Sequence, residues 1–365
     1  MSSIIRATTT NGLQVAPDNS GSLVLQTNGT NTALTIDTSQ NATFAGTVAM
    51  SSSFLRNRII NGDMRIDQRN AGASVTLTSS APYTVDRWLG LEDTDGGMTA
   101  QQDSSAPTGF NNSLKFTTTS ADSSLSAAQT CRMQQHIEGF NIADLGWGTA
   151  NAKTVTLSFW VRSSLTGTFA GGLRNYDANR GYPFNYTISA ANTWEYKTVT
   201  VTGDTTGTWN TTNSGGIAVI FDLGSGSNYQ STVNTWGAGN YFSTSGATSV
   251  IGTNGATWYL TGVQLEVGST ATPFERRMYG NEFINCQRYY QTGGIYGWPR
   301  STDNVTIASV YLPVSMRAVP TYTPADGSVQ SGGPDTRTTQ SFGIYKTGTS
   351  ASTSFYTTFT ASAEL

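Results

Sequence analysis

Between residues 71 and 275, apolar side chains recur at every second position, in short runs set off by turn formers. The runs are "SVTLT", "VDRWLGL", "NSLKFTTT", "TVTLSFWVRS", "WEYKTVTVT", "GIAVIFDL" and "TWYLTGVQLEVG". A period of two marks a strand with one buried face. Val155, Leu157, Phe159 and Val161 share one face, and Thr154, Thr156, Ser158 and Trp160 share the other. Val199 and Val201 alternate with Thr200 and Thr202 in the same way. So many strands at this spacing predict an all-β fold. Residues 51–275 then form a two-sheet sandwich of jelly-roll size. "CRMQQHIEGFN" reads as a further strand, and Trp88, Trp160 and Trp258 are assigned to core packing.

The flanks read differently. In residues 1–50, "GLQVAP", "GSLVLQTNG", "TALTIDTSQ" and "ATFAGTV" each carry two or three apolar residues at period two. The set Leu13, Val15, Leu23, Leu25, Leu34, Ile36, Phe44 and Val48 is too small for a core of its own. Packing against copies of the same chain would remedy that, so this segment predicts a symmetric oligomer. Residues 276–291, "RRMYGNEFINCQRYYQ", predict a short helical linker with Phe283, Cys286 or Gln287, and Tyr290 on one face. Residues 292–365 return to strands and read as a small C-terminal β domain, with Pro313, Pro320 and Pro324 confined to edges or turns.

Composition narrows the function classes. The net charge is −3, and no basic field exists to hold a phosphate backbone, so nucleic acid is not an expected partner. Cys131 and Cys286 are the only cysteines, which makes neither a disulfide framework nor a zinc site. His136 is the only histidine. The N-terminus "MSSIIRATTTNGLQV" lacks a basic segment followed by an apolar run and reads as carrying no secretory signal. No stretch approaches the roughly 18 apolar residues of a membrane span, so no membrane insertion is expected.

Charge is scarce at 12%, yet Arg56, Arg58, Asp63, Arg65, Asp67 and Arg69 crowd into fourteen residues. A nucleic-acid patch, a carboxylate catalytic site and a structural seam are the three readings. Interleaved Arg and Asp favour ion pairs at a domain junction or subunit interface, because unpaired charges are costly to bury. Within the stretch, Asn61-Gly62 reads as a type I′ hairpin turn.

Candidate catalytic carboxylates are Asp63 with Asp67, Glu92 with Asp93 and Asp95, and Asp222. They are sparse, and no repeated solenoid supplies a substrate groove. His136 in "MQQHIEG" has no nucleophile-elbow pattern nearby and reads as a hydrogen-bonded structural residue. "EDTDGG", 92–97, lacks the spacing of a calcium loop and reads as an Asp/Gly turn, so no cofactor is assigned. Aromatic rings interleaved with polar side chains suit sugars, whose CH faces stack while their hydroxyls hydrogen-bond. "LRNYDANRGYPFNY" offers Tyr176, Asp177, Asn179 and Tyr182 on a long loop. "YYQTGGIYGWPR" offers Tyr296 and Trp298. The alternative for both is that these rings cover a sandwich edge or pack against a neighbouring subunit.

"RNRIINGDMRIDQRN", "YTVDRW", "TGVQLEVGSTATPFERR", "CQRYY" and "LPVSMRAVPT", taken in order, resemble a family of phage tail-fibre and virion surface proteins. The resemblance spans most of residues 54–324. "NGLQVAPDNSGSLVLQTNGTN" also resembles the thin trimeric shafts of such fibres. It implies a virion component, assembled in the host cytoplasm as a homotrimer. It further implies an N-terminal shaft or attachment segment that joins other virion or tail proteins, and a jelly-roll body like that of carbohydrate-binding modules. Such modules often carry structural calcium. No catalytic residues carry over. The function implied is non-enzymatic contact with host surface glycan. The alternative is an architectural virion part, such as a capsid decoration or neck fibre. With a shaft above a body, the charged stretch would lie where the two meet.

Overall fold

The computed structural model describes residues 3–8, 12–17, 21–27, 31–44, 56–297, 305–326, 329–331, 337–347 and 355–365. The chain forms two compact units, Met1–Ser53 and Phe54–Leu365.

The first unit is a single sheet. Its strands are β1 (Ser3–Thr8), β2 (Gly12–Pro17), β3 (Leu23–Thr27), β4 (Asn31–Ile36) and β5 (Ala42–Phe44), in the order β2-β1-β3-β4-β5. Only β1 and β3 pair in parallel. Four strands coincide with the period-two pieces read above, and β1 lies outside them. None of residues 21–26 and 31–44 is buried, and Phe44 stands exposed. One sheet has no second layer to cover its apolar face.

The second unit is built on a two-layer sandwich. Its strands are β6 (Val75–Thr76), β7 (Tyr83–Val85), β8 (Trp88–Asp93), β9 (Gly97–Asp103), β10 (Ser113–Ser120) and β11 (Thr130–Glu138). They continue with β12 (Val155–Ser163), β13 (Gly167–Asn175), β14 (Gly181–Ile188), β15 (Glu195–Val201), β16 (Gly215–Ser225) and β17 (Thr257–Val267). One sheet runs β15-β12-β17-β10-β9-β6 and the other β14-β13-β16-β11-β8-β7. The inner faces meet in one core that includes Trp88, Phe116, Phe159, Phe169, Phe184, Phe221 and Trp258. Phe159 packs edge-on against Tyr186 and Phe221, at centroid distances of 5.1 and 5.0 Å. Edge-to-face pairs add to the burial of the rings themselves. Trp160 departs from its core assignment. Its odd register against Phe159 turns it to the outer face, where it leans on Tyr196.

Residues 56–74 form a strap with no strand in it. The hairpin expected at Asn61-Gly62 does not form, although Asn61 holds the positive φ of 55° that such a turn uses. The strap instead extends a sheet. β10 pairs with β17 only as far as Leu260. Beyond it, Arg58 N donates to Leu265 O and Val263 N donates to Gly62 O, both at 2.9 Å. Gly62 is required there, since a Cβ would lie 2.2 Å from Val263 O. The charged stretch also contributes to the core, because Ile59, Met64 and Ile66 between its charges are fully buried. Asn61 is buried too. Its Nδ2 donates to Ile66 O and Asp86 O, its Oδ1 accepts from Ile66 N, and Trp88 Nε1 donates to its carbonyl.

After the sandwich come α1 (Tyr279–Gln287) and six strands: β18 (Tyr290–Gly297), β19 (Val305–Tyr311), β20 (Thr321–Pro324), β21 (Val329–Ser331), β22 (Ser341–Thr347) and β23 (Phe355–Ser362). They form two three-stranded sheets, β18-β23-β20 and β19-β22-β21. Val310, Leu312, Met316, Tyr322, Phe342, Ile344 and Phe359 make a second core. This segment belongs to the same compact unit as the sandwich.

The five motifs behind the family resemblance meet in one polar seam between strap, sandwich and C-terminal segment. Arg277 Nη1 bonds Ile59 O at 3.1 Å and Glu282 at 3.0 Å, and its Nη2 bonds Asn57 O. Asn57 N donates to Glu275 at 2.6 Å. Arg288 donates two bonds to Glu138, at 3.0 and 2.6 Å, and Tyr289 Oη donates a third at 2.6 Å. Arg317 N donates to Arg288 O, and its guanidinium reaches Ala363 O and Glu364 O. Arg69 and Arg87 both pair with Glu364. The charge concentration therefore serves a seam inside the second unit. Its fork-shaped guanidinium pairs satisfy groups that would be costly to bury alone.

Candidate functional site

Of the sequence candidates for acid–base chemistry, Asp63, Asp67, Glu92 and Asp222 are held by structural partners, while Asp93 and Asp95 stand exposed. Asp63 pairs with Arg65 at 3.2 Å, and burial pushes its carboxyl above the usual range. Asp67 accepts Asn70 N and Gly72 N and closes a turn. Glu92 accepts Thr94 N within its own turn. Asp222 is buried in the sheet and accepts Ser225 Oγ, Ser243 Oγ and Gly224 N. Among the described residues, no three His, Cys, Asp or Glu side chains converge as a metal site would need. His136 is buried in β11. Its Nε2 meets Gln134 Nε2 at 2.9 Å and its Nδ1 meets Leu365 O at 3.0 Å. Burial holds its pKa down at about 4.

"LRNYDANRGYPFNY" is a hairpin rather than a long loop. β13 and β14 pair from Gly167↔Ile188 to Arg174↔Gly181. Only residues 176–180 turn between them. Tyr182, Phe184 and Tyr186 point inward, and Tyr182, 4% exposed, packs on Trp236. Their spacing of two was the available sign of a strand. Tyr176 and Asp177 stay exposed on the turn, and Tyr176 sits edge-on to His136 at 5.1 Å. Asn179 is exposed, and its side chain locks the turn by accepting Asn175 Nδ2 at 2.6 Å.

The second candidate region builds a surface. β18 and β23 are antiparallel, with Tyr296 opposite Tyr356, Gly294 opposite Thr358 and Thr292 opposite Thr360. β20 adds Thr323 opposite Thr360. All of these side chains lie on the outward face. Tyr296 is 66% and Tyr356 55% exposed, and their centroids are 4.8 Å apart. Beside them is a cavity of about 390 Å³ lined by Thr292, Gly294, Thr323, Tyr356, Thr358 and Thr360, among others. Gly294 is what admits the Tyr356 ring, since a Cβ there would meet Tyr356 Oη at 2.6 Å. A paired aromatic platform thus borders a mostly apolar hollow, with Pro324, Ala325 and Phe359 in its lining and threonine hydroxyls along it. Trp298 lies outside the described residues.

The two candidate regions are not brought together. Tyr176 neighbours His136 and so the Leu365 end of the chain, beyond β23. Tyr356 stands at the other end of β23, on the order of 20 Å along the strand. Tyr356 and the threonines were missed in the sequence because they become a platform only through the register of β18, β23 and β20.

The strand order and two-layer core define an all-β sandwich protein with a β C-terminal segment. No family model matches the chain, and no curated protein matches it. Solved structures similar to it include a sugar binding protein from Bacteroides thetaiotaomicron, described as putative, at 11% identity and TM-score 0.35, covering 58% of this chain and all of that one. Tailspike protein 4 of bacteriophage CBA120, an enzymatically active domain, aligns at 12% identity and TM-score 0.30, over 58% of this chain and 21% of that one. TmCBM61, solved with β-1,4-galactotriose, aligns at 9% and 0.29, over 58% and 99%. At these scores the likenesses carry no argument, and the fold class rests on the strand order itself.

Proposed function

We propose that this chain is a non-enzymatic virion surface protein of the tail-fibre kind. It contacts host glycan through the outward face of β18-β23-β20. The observation that carries the glycan reading is the exposed Tyr296–Tyr356 pair beside a cavity whose lining includes four threonines. Two stacked-out rings offer flat apolar area to sugar CH faces, and the flanking hydroxyls can donate and accept. The virion reading rests on the motif resemblance. In this proposal the first unit serves as a shaft or attachment segment, and the uncovered face of its sheet supports assembly as a homotrimer. Single weak sugar sites gain strength when three copies act together.

A second reading is favoured by one observation. Met278, Tyr279 and Ile284 around α1, and Tyr311 on β19, are all exposed. Large apolar side chains left exposed mark protein contacts where they form a patch, as an architectural virion part would need.

A glycan array probed with the intact protein tests the first reading. Binding that is lost in Tyr296→Ala supports it, whereas an array without signal overturns it. Immunogold labelling of virions with antibody to residues 280–365 then separates the readings. Label at tail or fibre tips fits host contact, and label over capsid or neck fits the architectural part.

A further inference from the structure

The outward face of β18-β23-β20 is built in three cross-strand rows. Thr292, Thr360 and Thr323 form one row, because Thr360 stands opposite both of the others. Gly294 and Thr358 form the next, and Ala325 joins it where its N–H reaches Thr358 O at 2.8 Å. Tyr296 and Tyr356 form the third. The middle row is low. Gly294 has no side chain and Ala325 has only a methyl. The Tyr356 ring leans across Gly294, with its Oη 2.6 Å from where a Cβ would stand. The hollow of about 390 Å³ occupies this depression, and Pro324 and Phe359 add to its apolar lining.

Two properties of the hollow bear on what fills it. The first is charge. None of its ten lining residues is charged, and Asp326, the next residue after Ala325, is not among them. Arg69, which lies over Tyr290 at the start of β18, is already paired with Glu364. An acidic or amino sugar placed here would lose hydration without gaining a counter-charge. The fitting ligand is therefore neutral. The second property is depth. A pyranose lying flat on the Tyr296–Tyr356 rings uses the platform but leaves the hollow to water. Among proline, phenylalanine, alanine and glycine such water finds few partners, so displacing it with an apolar group is favourable. A plain hexose has no such group to offer, since its exocyclic carbon carries a hydroxyl.

We propose that the hollow receives a methyl group carried by a neutral sugar, while the ring of that sugar stacks on Tyr296 and Tyr356. The threonine hydroxyls then meet the secondary hydroxyls of the ring. Two sugar chemistries supply such a methyl: C6 of a 6-deoxyhexose and the acetyl group of an N-acetylhexosamine. The proposal rests on the glycan reading of this face and narrows it to neutral, methyl-bearing sugars.

The test titrates the full chain with L-fucose and L-galactose, which differ only at C6, and with N-acetylglucosamine, glucose and glucuronate. Saturation-transfer NMR reads both the affinity and which sugar protons touch the protein. L-fucose over L-galactose, or N-acetylglucosamine over glucose, is expected to bind about fourfold tighter or more, the worth of one buried methyl. The pair that shows the gain identifies the source of the methyl, and those methyl protons should receive the strongest saturation. Glucuronate is expected to bind more weakly than glucose, and Tyr356→Ala is expected to abolish the transfer. The wild-type ratios decide even if that variant fails to fold. Sugars bound through Tyr356 with no gain from a methyl in either pair, or glucuronate bound as tightly as the neutral sugars, would overturn this proposal and leave the glycan reading standing. A methyl preference that survives Tyr356→Ala would place the site elsewhere and also overturn it. No sugar bound at all would overturn both.

Discussion

Arg69 donates to the Glu364 carboxylate at 2.7 Å, across 295 residues of sequence. The same carboxylate pairs with Arg87, which is itself fully buried. Arg69 lies between the rings of Tyr83 and Tyr290, at 4.5 and 3.6 Å, and Arg87 lies over Tyr289 at 3.6 Å. One carboxylate near the end of the chain therefore neutralises two cations of the strap and sandwich. Glu364→Gln leaves Arg87 buried without a counter-charge, which costs about 3–5 kcal/mol. A urea unfolding midpoint shifted by that amount is the expected result. A shift below about 1 kcal/mol would mean that the seam is screened by water.

Gly62→Ala should be disruptive on steric grounds alone. The added Cβ would be 2.2 Å from Val263 O, on backbone that also donates to Gly62 O. Overpacking against backbone costs about 1–3 kcal/mol. Gly72→Ala is a partial control, since its Cβ meets nothing within 4 Å although its φ is +81°. Thermal unfolding of the pair should show the larger loss for Gly62→Ala.

Two buried groups should make stability depend on pH in opposite senses. Burial pushes the Asp86 carboxyl up to about 6 from 3.8. Below pH 4 it is protonated in both states and neutral in effect. As pH rises, the unfolded chain ionises first, so stability falls until the folded carboxyl ionises near pH 6. Burial holds His136 down at about 4 from 6.5. Here the unfolded chain takes its proton first as pH falls below 6.5, and stability is lost down to about pH 4. Each effect is worth about 3 kcal/mol and they oppose each other between pH 4 and 6. His136→Gln should therefore gain stability relative to wild type on going from pH 7 to 4.5. Asp86→Asn should lose it. Urea midpoints at the two pH values check both.

On the candidate glycan surface, Tyr296→Ala and Tyr356→Ala are expected to weaken glycan binding by about 1 kcal/mol each, roughly fivefold. Both rings are largely solvent-facing, so unfolding midpoints should barely move. Gly294→Ala should weaken binding without removing any contact group, by pushing the Tyr356 ring aside. Calorimetric titration with a glycan that scores on the array measures all three. Unchanged affinity in Gly294→Ala would place the ligand elsewhere on the sheet.

Local periodicity sufficed for the sandwich. The alternation of Val155, Leu157, Phe159 and Val161 specifies which face is buried whatever the partner strand, because successive side chains must point to opposite sides. The helix at Tyr279–Gln287 and the absence of buried side chains among residues 21–26 and 31–44 were legible for similarly local reasons. Partnership was not. The charges crowded between Arg56 and Arg69 announced a seam, but the Glu364 partner of Arg69 lies nearly three hundred residues away, and no spacing rule reaches that far. Tyr182 shows the same limit, since the length of the turn between β13 and β14 decided that its ring met the core, whereas the alternation of β12 already set Trp160 on the outer face. Tyr296 could be named from its neighbours in the chain. Tyr356 and the threonines of the cavity wall acquire meaning only when three strands far apart in sequence align in register, which backbone pairing across space determines.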